Sequence, residues 1–440
     1  MKIGNGTTIQ RSCFSHYRQT KGGPAKVSVI ASGFLGSIQG SAIANVVTTG
    51  NFTIPLMKKI GYHRNFAGAV ESSASVGGQI LPPVMGAAAF IMAETLGVPY
   101  TDIALIAILP ALLFYFGILT QVHMRAVKDN LSGVPRDELP SIIDVLKERG
   151  HLLLPIFFLI YMLFIAGVTV IYAAAWTIIV TVIVSSLRKT TRMNIREMID
   201  ALETGARTTV TVAIACATVG FIVGISSLTG FGINLANAIV TIGGESLFLT
   251  LLFTMVACIV LGMGMPSIPA YIITATMAAP ALVELGVQPV VAHLFVFYFG
   301  IFANITPPVA LAAFAAAGLS GGGPMRTGFH ALKLALAGFV IPFMFVYNDA
   351  LLLIDTTVME GIIVIITATI GVIMLGIAAE RYFLYKLNLL FSGLMAVGGV
   401  MFLYPGTMSD VIGLAILLLI LAIQFISKKR QGTPDVSTAS

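Results

Sequence analysis

Apolar stretches occupy most of this chain, and they are broken at places where a simple membrane span would run on. Residues 24 to 57 are apolar except for a central cluster of Ser37, Gln39, Ser41, Asn45, Thr48, Thr49 and Asn51. Residues 65 to 97 are apolar on both sides of an interruption by Gly77, Gly78, Gln79, Pro82 and Pro83. Proline removes a backbone donor and its ring clashes with the preceding turn, so a Pro-Pro pair behind two glycines opens a helix and frees carbonyls. At membrane depth such groups are tolerated only when buried in protein or facing water. The first segment is therefore expected to be a helical hairpin that dips in and returns, and the second a pair of half-helices.

The same reading continues along the chain. Residues 102 to 122 form a full span and residues 123 to 150 a polar loop. Residues 151 to 187 are too long for one helix at ~1.5 Å per residue across a ~30 Å core, which predicts two short spans turning near Gly167. The amphipathic stretch TRMNIREMIDALETGAR is expected to lie along the interface, followed by a span over residues 208 to 229 and a Gly/Asn-containing connector. Residues 246 to 285 hold a second interrupted hairpin with LGMGMPSIPAY at its tip, residues 289 to 319 a second broken helix around ANITPP, and residues 328 to 347 a span. Three further spans, near 359 to 379, 387 to 404 and 410 to 427, lead to a polar tail.

The two halves repeat. Pro55, Gly61, Ala67, Ile80, Pro82, Pro83, Val84, Ala87, Ala88, Gly97 and Pro99 recur without a gap at Pro280, Gly286, Ala292, Ile305, Pro307, Pro308, Val309, Ala312, Ala313, Gly322 and Pro324, and Gln79 falls on Asn304 in the same register. The division that follows is a polar segment (1–23), a first transport repeat (24–122), a connector (123–207), a second transport repeat (208–348) and a C-terminal extension (349–440). The fold class is an all-α polytopic membrane protein with inverted-topology repeats, two re-entrant helical hairpins and two broken helices, an architecture of secondary transporters.

Composition agrees with the bilayer as one partner: 57% of the 440 residues are hydrophobic and 10% charged, with a mean hydropathy of +0.96. The formal charge of +6 reflects topology and does not point to nucleic acid. Lys and Arg mark the inner face. Placing residues 58–64, 123–150, 188–207, 320–333, 380–387 and 428–430 on one side collects 3, 5, 5, 2, 2 and 3 of the 25 basic residues, and the other five precede Val27. The opposite loops hold none, provided that both hairpins re-enter their own side. Cys13, Cys216 and Cys258 lack metal-ligand spacing and read as packing residues. No HExxH, GxSxG or GxxxxGK[ST] motif is present, so the chain reads as no enzyme and without ATP-hydrolysing machinery.

Broken helices expose carbonyls at one half-helix end and amides at the other, suited to a cation and an anion. Ser37, Ser41, Asn45, Thr48, Thr49 and Gln79 offer neutral oxygens, an inventory that fits sodium better than a transition metal. Small and hydroxyl residues also simply permit close helix packing. Glu71 falls within a half-helix, where an ionisable residue is a functional candidate; pairing with Lys58, Lys59 or Arg64 is the other reading. His293 reads either as a satisfied buried histidine or as a titratable site residue, and Tyr271 as a cavity wall or as packing.

The strings GSIQGSAIANVVTTGNFTIPLM, GYHRNFAGAVESSASVGGQILPPVMGAAAFIMAE, LGMGMPSIPAYI, VAHLFVFYFGIFANITPPVALAAFAAAG and PFMFVYN resemble the large membrane subunit of TRAP (tripartite ATP-independent periplasmic) transporters, in the type whose small and large membrane domains are fused. The resemblance implies an elevator-type, sodium-coupled uptake system for organic acids in a bacterial inner membrane, with no cofactor beyond the coupling ion. It also implies a periplasmic substrate-binding protein and a small membrane subunit, or an equivalent N-terminal membrane domain, as partners. Ser41 to Thr49 and the second tip, with Gly264, Pro266 and Ser267, together with the breaks Gly77, Gly78, Gln79 and Pro82, and Asn304, Thr306 and Pro307, would then form the sodium and substrate sites, with sodium at the two hairpin tips. About twenty polar residues stand before KGGPAK where a fused member has further helices, so the expectation is the C-terminal part of a permease. A sodium/dicarboxylate symporter working without a binding protein and a non-transporting membrane fragment are the other readings.

The layout predicts that single cysteines at Asp102, Ser246 and Thr407 are labelled from outside intact cells, and those at Lys128, Lys189 and Lys429 only after permeabilisation. Outside labelling at Lys189 would invert the scheme.

Overall fold

The computed structural model describes residues 21–131, 147, 150–188, 190–244 and 246–431, with side chains to 426. Most of the polar N-terminal segment with Cys13, most of the loop before Gly150, Lys189, the side chain of Lys429 and most of the polar tail lie outside these. Among the described residues the architecture is helical, and its first unit is a helix–turn–helix. Helix α1 (Gly23–Gln39) has Pro24 in its first turn and ends at Gly40, whose left-handed backbone (φ 65) lets its N–H reach Gly36 O. Helix α2 (Ala42–Lys59) starts at Ser41, whose hydroxyl accepts from Ala44 N. The turn is thus two residues long.

Helix α3 (Arg64–Gly77) runs into a 3-10 turn, Gly78–Ile80, and chain pairing then stops at Leu81. The two prolines donate nothing. Gly86 N reaches back 2.7 Å to Gln79 O, and α4 (Ala87–Leu96) begins beyond it. Helix α5 (Tyr100–Lys128) follows as one long apolar element. Helices α6 (Leu154–Phe164) and α7 (Val170–Ser186) flank Gly167, which has φ 62.

Helix α8 (Ile195–Thr229) corrects one expectation: the amphipathic arm and the following span are a single helix. A capping box of Asn194 and Glu197 starts it, no proline interrupts it, and Gly205 weakens but does not end a helix. The expected connector is likewise a helix, α9 (Phe231–Gly243), held between left-handed Gly230 and Gly244. The second hairpin pairs α10 (Leu247–Gly262) with α11 (Ser267–Met277), continued by α12 (Ala279–Glu284). The second break separates α13 (Pro289–Phe302) from α14 (Leu311–Ser320), and Ala312 N bonds Asn304 O at 3.0 Å. Helices α15 (Pro324–Leu334) and α16 (Leu336–Tyr347) are bent by 43° where one span was expected. Helices α17 (Val358–Glu380), α18 (Leu389–Leu403) and α19 (Thr407–Gln431) complete the chain.

Helix boundaries carry the sequence register. Ala42–Lys59 returns as Ser267–Glu284, Arg64–Gly77 as Pro289–Phe302 and Gly78 as Ala303, each a step of 225 residues. The halves interleave, with α14 packed on α2 and α3, and α11 packed on α4. Between α5, α13 and α16 lies an aromatic core in which Phe114 and Phe302 stack at 5.5 Å and Phe302 and Phe339 at 5.2 Å.

Several long-range polar contacts lie at helix ends. Lys21 bonds Asn130, Lys58 Nζ bonds Ser320 O, Lys128 Nζ bonds Glu380 O, and Lys333 pairs with Glu380 at 2.5 Å. These join four of the basic segments of the sequence. Elsewhere Gln288 donates to Asp349 and Tyr347 packs on Tyr404, joining three of the loops without basic residues.

Gly78 is the tightest point near the first break. A Cβ there would stand 2.5 Å from Gly36 Cα, backbone that cannot rotate away. Gly78→Ala should destabilise the solubilised protein by about 1–3 kcal/mol or more. Gly205→Ala, with nothing within 4 Å of its new Cβ, should stabilise it by up to ~1 kcal/mol. Thermal unfolding of the two variants beside the parent measures the difference.

Candidate functional site

The close approach of Gly78 to Gly36 lays the first break against the first hairpin. Gln79, 2% exposed, is thereby placed to donate from Nε2 to Gly40 O at 3.1 Å and to Ser267 Oγ at 3.3 Å. One side-chain amide thus joins the turn of the first hairpin to the start of α11 in the second. Asn45 makes the comparable link inside the first half: its Nδ2 donates to Ser32 O at 2.8 Å and Ser75 Oγ at 2.9 Å, tying α2 to α1 and α3. The acceptor oxygens of both amides, Asn45 Oδ1 and Gln79 Oε1, are buried without a protein partner. A buried acceptor left unpaired costs about 1–3 kcal/mol. Two neutral oxygens in that condition suit a cation that binds hydroxyl, amide and carbonyl groups.

The other sequence candidates fall in several places. Ser37 is buried and donates to Phe34 O, while Ser41 and Thr48 lie exposed near the turn, where Thr48 accepts from Gln39. A Cβ on Gly77 would meet the Phe114 ring at 2.2 Å, so this glycine admits an aromatic wall. Pro82 lines an apolar groove of about 610 Å³ together with Phe34, Leu81, Pro83 and Tyr115. At the second tip Gly264 and Pro266 are exposed and Ser267 is buried. Asn304 shares the register of Gln79 but not its contacts. Its Nδ2 turns to Ile301 O at 3.2 Å, and Thr306 Oγ1 donates to Phe302 O. Pro307 packs over Gly328. Tyr271, one helical turn beyond Ser267, shares a 2.8 Å hydrogen bond with His293 Nδ1. Among the described residues no group of three or more His, Cys, Asp or Glu could hold a metal ion.

Glu71 is fully buried on α3. Ser28 Oγ lies 2.6 Å from its carboxyl, and the Ser32, Thr49 and Thr53 hydroxyls are within hydrogen-bonding distance of it. The ion pairs Arg125–Asp129, Arg125–Glu380 and Lys333–Glu380 leave it out, and Lys58 reaches Ser320 O. Ser28, Ser32 and Thr53 were not singled out in the sequence. Their signal is the spacing: Ser28 and Ser32, and Thr49 and Thr53, are i, i+4 pairs, each presenting two hydroxyls on one helix face.

A family model described as the tripartite ATP-independent periplasmic transporter, DctM component, matches residues 1–360. The chain belongs to that family. Similar proteins include the uncharacterized protein YgiK of Salmonella typhimurium, 24% identical over 338 residues that make up 76% of each chain. A Haemophilus influenzae protein provisionally named as a TRAP transporter large permease is 25% identical over 66% of this chain and 67% of its own. The sialic acid TRAP transporter large permease protein SiaM of Vibrio cholerae is 23% identical over 73% of each. The DctM match ends just inside α17, so α18 and α19 lie beyond it. Helices α5, α8, α17 and residues 407–426 of α19, and the α11–α12 segment, are each long and apolar enough to cross a membrane. The chain is therefore a multi-pass membrane permease component, a class of transporter and not of enzyme.

Proposed function

We propose that this chain is the permease of a binding-protein-dependent secondary transporter that takes organic acids across the bacterial inner membrane, driven by sodium. The observation that carries the reading is the Gln79 amide held between the two hairpins, with its own oxygen and that of Asn45 buried and unmatched. A sodium ion at the first tip would satisfy those oxygens and fix the hairpin against the break. The second tip has no orphaned amide oxygen of this kind among the described residues, so the first is the stronger of the two expected sodium sites. A substrate carboxylate would lie between the tips, at the positive N-terminal end of α11. The Vibrio relative is named for sialic acid, so an organic acid is a reasonable first substrate to test.

The interleaving of α14 with α2 and α3, and of α11 with α4, supports inverted repeats moving as one body in an elevator-type step. Substrate would arrive on a periplasmic binding protein, and a small membrane subunit would complete the assembly. Liposomes carrying that assembly test the reading. Uptake should require both the binding protein and sodium. Undiminished uptake in potassium would remove sodium, and undiminished uptake without the binding protein would favour a stand-alone symporter.

Gln79→Leu keeps volume but leaves Gly40 O and Ser267 Oγ without their donor, at about 1–3 kcal/mol. That corresponds to a roughly 5- to 150-fold weaker apparent sodium affinity. Asn304→Leu, whose amide bonds only its own helix, should shift it much less. The sodium dependence of uptake at equal membrane expression checks both, and equal shifts would mean the contacts of Gln79 do not matter.

A further inference from the structure

Four hydroxyls surround Glu71, and each owns one proton. Thr49 Oγ1 lies 2.7 Å from Asn45 O as well as against Glu71 Oε1, and Ser32 Oγ faces both Thr49 Oγ1 and the same carboxyl oxygen. Thr53 Oγ1 lies 3.0 Å from Thr49 O and 2.5 Å from Glu71 Oε2. Seven oxygen pairs are therefore within hydrogen-bonding distance, while the hydroxyls supply four protons. Thr274 shows where a threonine proton goes at this register. It stands 225 positions after Thr49, and its hydroxyl lies 2.9 Å from Ala270 O and 3.1 Å from Tyr271 O, both carbonyls of its own helix. If Thr49 and Thr53 donate to their helix carbonyls in the same way, their lone pairs face the carboxyl oxygens with no proton between. A fifth proton, on the carboxyl itself, bridges one of these contacts and removes an uncompensated charge from the apolar interior.

We propose that Glu71 is a proton-binding site, loaded in this conformation, whose loading and release accompany transport. Loading forms an O–H bond on the carboxylate with a proton taken from water on one side, and release breaks it toward water on the other. Nothing is oxidised or reduced. The hydroxyls come from α1 and α2 while Glu71 is on α3, so a rearrangement that loosens the Asn45 hydrogen bonds holding the hairpin to α3 changes how many donors the carboxylate meets, and with it the hold on the proton. Titratable groups on the helices packed around α3 are Lys26 on α1, Lys58 and Lys59 on α2, Tyr100, Asp102, Tyr115, His123, Arg125 and Lys128 on α5, and Arg326, His330 and Lys333 on α15. Helix α14 has none. Tyr115 spends its proton on Ala74 O.

The proton site stands apart from the transport reading, and its coupling role rests on it, so two measurements are needed. Infrared difference spectra of the purified chain between acid and alkaline pH should contain the carbonyl stretch of a protonated buried carboxyl, and Glu71→Gln should lack it. A band unchanged in Glu71→Gln overturns the site. In the full assembly at equal sodium on both sides, one pH unit drives roughly tenfold accumulation per coupled proton. Glu71→Gln, shaped like the neutral acid, should lose that accumulation yet keep exchange of substrate between equal concentrations. Wild-type accumulation in the variant overturns the coupling. An assembly that transports nothing overturns the transport function proposed above, and the infrared band still decides the site.

Discussion

Polar groups taken out of water must find partners, and in an apolar medium there is no substitute for the ones the chain itself supplies. This constraint explains why the breaks are where they are. At Leu81 the helix ladder stops, and Pro82 and Pro83 have no N–H to offer. The carbonyl of Gln79 is claimed by Gly86 N, and its side chain claims Gly40 O at the neighbouring turn. The break and the turn therefore satisfy each other. They can do so because Gly36 and Gly78 bring two backbones together: a Cβ on Gly78 would stand 2.5 Å from Gly36 Cα, and one on Gly36 3.1 Å from Gly78 Cα. A larger residue at Gly78 would push the helices apart and weaken both sets of hydrogen bonds.

That dependence makes the centre of the protein rigid in one sense and movable in another. Hydrogen bonds through Asn45 bind α1, α2 and α3 together, and the aromatic wall of Phe114, Phe302 and Phe339 fixes α13 against α5 and α16. Between the two hairpins the contact is lighter: a 3.3 Å bond from Gln79 to Ser267. A permease must open and close a path between such parts, and a single polar bridge is easier to break than a packed apolar seam.

Much of this was written in the sequence in local form. Gly40 followed by Ser41 is a helix stop followed by a helix start, and the hairpin turn sits on that pair. Gly167 marked the turn between two short helices, and the Pro-Pro pairs marked both breaks. Longer-range features were hidden. The arm before residue 208 and the apolar run after it differ in periodicity, which suggested two elements, yet nothing between Asn194 and Gly230 stops a helix. Gly and Asn in residues 230–244 looked like a loop because the glycines that bracket α9 resemble those that interrupt one. The hydroxyls around Glu71 come from two helices and the carboxyl from a third, and no local pattern separates a Ser pair that binds a carboxyl from one that lets helices pack.

The repeat shows how far a shared backbone leaves the chemistry open. Ser28, Ser32, Asn45, Thr53 and Glu71 have Phe253, Ala257, Ala270, Ala278 and Val296 as their counterparts 225 positions on, and of this group with Thr49 only the threonine is kept, as Thr274. Helix boundaries barely move in exchange. Apolar residues in the second half pack outright, whereas the first half spends its interior on hydrogen bonds that contribute only about 0.5–1.5 kcal/mol each. A buried polar cluster of this kind is weak as a source of stability, since an apolar replacement of similar shape can be nearly neutral. The second half demonstrates such a replacement within the same architecture. What the first half gains from its carboxyl and hydroxyls is therefore sought in binding and movement, in the one region where the hairpin, the break and the opposite repeat meet.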